Sequence, residues 1–174
     1  MAALTKASNL GYLTLKWCLS LILLVIVSTV EAGVNLKPFE STSLASIEQT
    51  RQGEAFVMVL WSIECPPCLK ELKLLSRLKD ANLLKRLVLV STDGEDYRAE
   101  LEALIKSEQV ADYENWLFND PLPERLRYNI DPSWYGELPR AYFYNAEGQR
   151  YAHSGILTEA ALVAWLAQET SSPK

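Results

Sequence analysis

Two apolar runs set the frame of the chain. Ala55-Phe56-Val57-Met58-Val59-Leu60-Trp61 is unbroken and of strand length, and Leu87-Val88-Leu89-Val90-Ser91-Thr92 is nearly so. Such runs predict central strands covered on both faces, because a half-exposed strand would alternate apolar and polar positions. Between them the period changes. From Pro66 to Lys79 the residues Leu69, Leu72, Leu75 and Leu78 recur at helical spacing, which predicts a helix with these inward and Lys70, Glu71, Lys73 and Lys79 outward.

The alternation continues downstream. Asp93-Gly94 turns the chain into a helix on which Tyr97, Leu101, Leu104 and Ile105 share a face. Trp116-Leu117-Phe118 reads as a short strand, Pro123 to Ile130 as a short helix, and Asp131 to Gly136 as irregular. Arg140 to Tyr144 and Gln149 to Ala152 flank Asn145-Ala146-Glu147-Gly148, a hairpin signal. A last helix starts near its N-cap Thr158, with Leu162, Trp165 and Leu166 inward. Upstream, Gly33 to Phe39 reads as a linker or short edge strand. Ser41 to Arg51 reads as a short helix with Leu44 and Ile47 on one face and Gly53 after it. Strands alternating with helices, then a hairpin and a closing helix, predict an α/β fold with a central mixed sheet flanked by helices.

The N-terminus follows a different pattern. Lys6 and Lys16 precede an apolar run from Trp17 to Val30, and Val30 and Ala32 are small residues placed for cleavage. A basic start, an apolar run and small residues form the layout of a secretory leader. The run is shorter than the roughly 20 residues that span a bilayer. With Leu10 to Leu15 added, an uncleaved anchor is the alternative, its lysines held inside and the rest exported. The expected organisation is therefore a leader or anchor over 1–32, a linker over 33–40, a domain over 41–170 and a tail over 171–174. It places the protein in the periplasm or another extracytoplasmic space, with membrane contact through residues 10–30 if the leader stays. A net charge of −5 and a pI near 5.0 exclude non-specific nucleic-acid binding, which needs a basic face.

Three cysteines are present, and Cys18 lies within the apolar leader. That leaves Cys65 and Cys68 in Trp61-Ser62-Ile63-Glu64-Cys65-Pro66-Pro67-Cys68, where the first long strand gives way to a helix. A zinc site needs three or four ligands, and beyond this pair residues 33–174 offer one histidine, His153, and no further cysteine. A structural disulfide enclosing two residues restricts the unfolded chain very little. A redox pair accounts for more. Cys65 as N-cap puts its sulfur at the positive end of the helix dipole, which favours thiolate. Pro66 suits the first helical position, and Pro67 removes a second donor, leaving the N–H groups of Cys68 and Leu69 to face the sulfur. Cys68, one turn in, can resolve a mixed disulfide formed at Cys65.

At these residues the chain resembles the thioredoxin superfamily, in particular its TlpA/ResA-type branch, over roughly residues 40–168. Trp61 stands four before the first cysteine, as in that family. Leu138-Pro139-Arg140-Ala141-Tyr142-Phe143 is similar to its cis-proline segment, and Asp93 to Asp120 resembles its βα insertion. The resemblance implies a thioredoxin-like fold and a thiol–disulfide oxidoreductase with Cys65 and Cys68 as catalytic residues. It implies a substrate surface of Trp61, Glu64, Pro66, Pro67, Leu138 and Pro139, with the backbone of Leu138 beside Cys65 and able to pair with an extended substrate. The redox-active disulfide is the only expected cofactor and no metal is expected. The implied partners are exported proteins with cysteine pairs and a membrane or periplasmic electron donor or acceptor, with reduction the favoured direction.

Three departures from the family bear on this. Val59 stands where thioredoxins bury an aspartate, so Glu64 or Glu137 would have to serve as base for Cys68. Glu64 itself opposes thiolate formation at Cys65. Tyr135-Gly136-Glu137-Leu138-Pro139 is spaced unlike the family's usual Gly-x-Pro, with Trp134 and Tyr135 as candidate lining of a partner groove. Two rival readings stay open: a thioredoxin-fold binding module with an idle dithiol, and a copper-handling assembly factor using the cysteines with His153.

Overall fold

The computed structural model describes residues 33–78 and 85–171. The chain divides into two compact units, Met1–Gly33 and Val34–Lys174. The leader or anchor reading of 1–32 therefore lies outside the described residues, as do Lys79 and the tail from 172 on. Among the described residues no helix is long and apolar enough to cross a membrane.

The second unit runs β1 (Leu36–Phe39), α1 (Ser43–Thr50), β2 (Phe56–Trp61), α2 (Pro66–Arg77), β3 (Leu87–Ser91), a 3₁₀ turn (Glu95–Tyr97), α3 (Arg98–Ser107), β4 (Glu114–Phe118), α4 (Pro123–Ile130), β5 (Arg140–Tyr144), β6 (Arg150–Ser154) and α5 (Glu159–Ser171). One six-stranded sheet has the order β1-β4-β3-β2-β5-β6. β1, β4, β3 and β2 are mutually parallel, and β5 and β6 close the sheet antiparallel. The stretch 33–40, expected as a linker or edge strand, thus supplies the edge strand β1, because Leu36 and Phe39 find buried places beside β4.

The apolar runs sit where a doubly covered strand must. Every residue of β2 and β3 is buried. Alternate side chains divide between two cores, as the two-residue period of a strand requires. Val57, Val59, Trp61, Leu87 and Leu89 face Leu72 and Leu75 of α2, Leu101 and Ile105 of α3, and Leu162 of α5. Met58, Leu60, Val88 and Val90 face Ile47 of α1, and Leu126 and Ile130 of α4. Each fully buried aliphatic side chain contributes about 1.5–3 kcal/mol, so these two strands organise the stability of both layers. Tyr97, expected on an apolar face, is 41% exposed. It falls in the 3₁₀ turn before α3, whose tighter winding carries it off the inward stripe.

A buried polar network fixes the segment before β5. Asp131 accepts hydrogen bonds from the N–H and hydroxyl of Ser133 (2.9 and 2.6 Å), from Tyr142 Oη (3.0 Å) and from Arg140 (3.1 Å). Burial pushes its carboxyl up, but the Ser133, Tyr142 and Arg140 hydrogen bonds outweigh this and hold it at about 2, below its ordinary 3.8. A depressed folded value means the contribution is present above pH 3.8 and is lost as pH falls through 2. Its size is about 2 kcal/mol. Asp131→Asn is expected to lower unfolding free energy at pH 7 by that amount and to flatten the decline between pH 4 and 2, read by denaturant titration at several pH values.

Candidate active site

Helix α2 begins at the C-terminal edge of the parallel strands, where α/β sheets place their chemistry. Pro66 and Pro67 occupy its first positions, where missing N–H groups leave no intrahelical bond unmade. Cys65 is the N-cap in extended conformation, and its Sγ accepts the N–H of Cys68 at 3.2 Å. The N–H of Leu69, expected to face the same sulfur, instead donates to the carbonyl of Cys65 at 3.2 Å, completing the first helical turn. Cys65 and Cys68 are joined in a disulfide. Their surroundings differ: Cys65 is half-buried at the surface and Cys68 is wholly buried in the α2 face of the core. Only Cys65 can meet a partner's sulfur.

The inward stripe of α2 is Cys68, Glu71, Leu72 and Leu75, all buried, with Leu69 and Leu78 only half-buried. Glu71, expected to face out, is 1% exposed. It is turned inward because position 71 lies three residues after Cys68 and four before Leu75, on the same face. One oxygen, Oε1, accepts the N–H of Leu157 at 2.8 Å, from the turn before α5. The other, Oε2, is buried with no hydrogen-bond partner among the described residues. Burial pushes its carboxyl up to about 7, against a smaller lowering by the Leu157 hydrogen bond. A carboxyl that titrates near neutrality one turn from Cys68, about 5–6 Å between β-carbons, is suited to take the proton of that thiol. Val59, in β2, packs in the same core. Glu64 is exposed at the turn, while Glu137 is exposed and accepts hydrogen bonds from Arg140 and Ser154, so neither carboxylate is buried with Cys68.

Strand β5 brings the second half of the site. Leu60 pairs with Arg140 in the antiparallel ladder, so one step further Trp61 and Pro139 lie across from each other. The Leu138–Pro139 peptide is cis. Leu138 is half-buried and packs on the same core face as Cys65. The carbonyl of Pro139 accepts the N–H of Gly155 at 2.9 Å. Glu64, Pro66 and Pro67, next to Cys65 in the chain, are exposed, Leu138 is half-buried, and Pro139 is buried. Trp61 does not belong to this surface. It is 1% exposed, and its aromatic bulk fills the core beneath the turn.

Of the two candidate groove residues in the loop between α4 and β5, Trp134 and Tyr135, the structure exposes only the second. Trp134 is buried, and its indole N–H donates to the carbonyl of Glu137 at 2.9 Å. Tyr135 is 96% exposed. Gly136 follows at φ +96°, a conformation that only glycine adopts without strain, and it turns the chain back toward Leu138. His153 lies on the exposed edge strand β6, and no group of three potential metal ligands occurs among the described residues.

No protein-family model matches the chain, and no curated protein matches it either. Solved structures do. A thiol:disulfide interchange protein of the thioredoxin family from Chlorobium tepidum TLS superposes with a TM-score of 0.56 at 14% identity, covering 70% of this chain and 83% of that one. A secreted disulfide oxidoreductase of Mycobacterium tuberculosis, homologous to E. coli DsbE, gives 0.51 at 18% identity over 69% and 85%. A thiol-disulfide isomerase from Corynebacterium glutamicum gives 0.52 at 13% identity over 83% and 94%. At such identities the likeness speaks for architecture, and the architecture is clear: the described residues between 34 and 171 adopt the thioredoxin-like fold, with a CxxC disulfide at the start of α2.

Proposed function

We propose that the protein is an exported thiol–disulfide oxidoreductase that reduces cysteine pairs in other exported proteins. The observation that carries this reading is the asymmetry of the dithiol: a half-buried Cys65 sulfur held as N-cap by the Cys68 N–H, and a fully buried Cys68 behind it. In the reduced form the Cys65 thiolate attacks a substrate disulfide, forming a mixed disulfide and expelling one substrate thiolate. Cys68, its proton taken by Glu71, then attacks the Cys65 sulfur and releases the second substrate thiol. Two electrons pass from the dithiol to the substrate, and Cys65–Cys68 becomes the disulfide. A dithiol donor at the membrane restores it. Export rests on the apolar leader and on the secreted state of the Mycobacterium tuberculosis protein. If the leader is retained, residues 10–30 hold the protein at the membrane.

The reducing direction follows from charge. A dithiol is oxidising when its thiolate form is strongly stabilised. Here a buried carboxyl beside Cys68 and the exposed Glu64 beside Cys65 both work against thiolate, opposing the helix dipole. The test is reduction of insulin disulfides by the full-length protein with dithiothreitol as electron source. Acceleration well above dithiothreitol alone is expected, and a rate equal to dithiothreitol alone would sink the proposal.

Tyr135 supplies the recognition element. Its loop is held by the Trp134–Glu137 bond and the Asp131 network, so the exposed ring is presented with little loss of freedom on binding. Tyr135→Ala is expected to raise KM for a protein disulfide about 5- to 10-fold, the weight of a modest interface anchor. Its effect on oxidised glutathione, which offers no protein surface to the ring, is expected to be less.

A further inference from the structure

The turn that delivers Cys65 is tied to the end of β3 by one side chain. Asp93, two residues beyond β3, receives three donors. Ser62 Oγ donates to Oδ1 at 2.8 Å, and the Ile63 N–H and Ser91 Oγ donate to Oδ2 at 3.0 and 2.6 Å. Two further bonds extend the set: Ser62 Oγ accepts the Glu64 N–H at 3.1 Å, and Ser91 Oγ accepts the Asp93 N–H at 3.1 Å. Alongside, the Thr92 N–H donates to the Trp61 carbonyl at 2.8 Å, and the Cys65 N–H donates to the Ser62 carbonyl at 3.2 Å. Every residue from Trp61 to Cys65 is therefore held to β3 or to its own turn by a named bond. The carboxylate holds Ser62 and Ile63 directly and Glu64 through Ser62 Oγ.

We infer that Asp93 is the positioning residue of the dithiol site: it fixes the Ser62–Glu64 turn, and through it the Cys65 sulfur on the Cys68 N–H at the start of α2. The assignment rests on the redox reading of the dithiol. A carboxylate suits the place because it only accepts, and three donors converge on it. Its charge has the opposite electrostatic consequence, since an anion nearby disfavours the Cys65 thiolate. The two roles can be separated. Asparagine removes the charge but keeps the connection: its oxygen can take the place of Oδ2, accepting Ile63 and Ser91, while its amide donates to Ser62 Oγ. Alanine removes both charge and connection.

The experiment measures the rate at which the reduced full-length protein attacks oxidised glutathione across pH, for wild type, Asp93→Asn and Asp93→Ala. Release of the tether misplaces the attacking sulfur, so Asp93→Ala is expected to lose roughly 10- to 100-fold at neutral pH, with its thiolate midpoint displaced upward. Asp93→Asn is expected to rescue the rate to within about threefold, with a midpoint at or below that of wild type, the sign expected for lost negative charge. Variants that shift together, or that both match wild type, overturn the assignment. If Asp93→Ala does not fold, Ser62→Ala cuts the Oδ1 arm and the Glu64 contact while leaving Ile63 and Ser91 held. A slowed rate then supports the assignment and an unchanged one overturns it. A wild-type protein that never reacts overturns the redox reading beneath, and this assignment with it. A reactive wild type with insensitive variants removes the assignment alone.

Discussion

Cys65→Ser is expected to bring disulfide reduction down to the uncatalysed level, a loss on the order of 10³-fold or more. Cys68→Ser is expected to behave differently. The asymmetry of burial is the reason: Cys65 meets solvent at the head of α2, whereas Cys68 is wholly enclosed and can reach only its neighbour. With Cys68 replaced, the first attack still occurs and the mixed disulfide has no internal thiol to release it. Turnover stops while a covalent adduct with the substrate accumulates, visible on a non-reducing gel or by mass spectrometry. An adduct that forms through position 68 in Cys65→Ser, and not through position 65 in Cys68→Ser, would reverse the assigned roles.

Glu71→Gln is expected to stabilise the oxidised protein above neutral pH. Glu71 is buried with one oxygen unpartnered among the described residues, and burial pushes its carboxyl up to about 7 from an ordinary 4.5. The sign follows from proton counting. Between these two values the folded state binds the proton that the unfolded state has released, so stability falls as pH rises. The contribution is full below pH 4.5 and is lost as pH passes 7, a change of roughly 3 kcal/mol. Glutamine keeps an oxygen for the Leu157 N–H and cannot ionise, so this decline should disappear. Denaturant unfolding of the disulfide form at pH 5 and pH 8 reads it directly. The same substitution should slow release of the mixed disulfide, because Cys68 loses the group that takes its proton. A variant that resolves mixed disulfides at the wild-type rate would remove Glu71 from that step.

Much of the fold is legible in the apolar pattern, because its period changes from run to run. The runs at 55–61 and 87–92 have the length and unbroken apolar character of doubly covered strands, and Pro66 suits the first position of a helix. The residues that local pattern does not reveal share a cause. Glu71 sits between Lys70 and Lys73, and a glutamate among lysines reads as solvated surface. The leucine spacing draws the stripe through Leu69 and Leu78, whereas burial runs through Cys68, Glu71, Leu72 and Leu75. Starting the count at the cysteine would have put Glu71 inside. Asp93 read as a turn former, since its partners Ser62 and Ile63 lie 31 and 30 residues away and come together only when β2 and β3 pair. The family resemblance implies Trp61 in the substrate surface, whereas the alternation of β2 points it into the core.

The measurement closest to the central claim is the reduction potential of the Cys65–Cys68 pair in the full-length protein, by equilibration in dithiothreitol buffers at pH 7. A reductant whose thiolates are opposed by Glu64 and Glu71 should lie near thioredoxin, at about −270 mV. A value near about −120 mV, that of a strong disulfide donor, or a pair that does not cycle at all, would contradict the account.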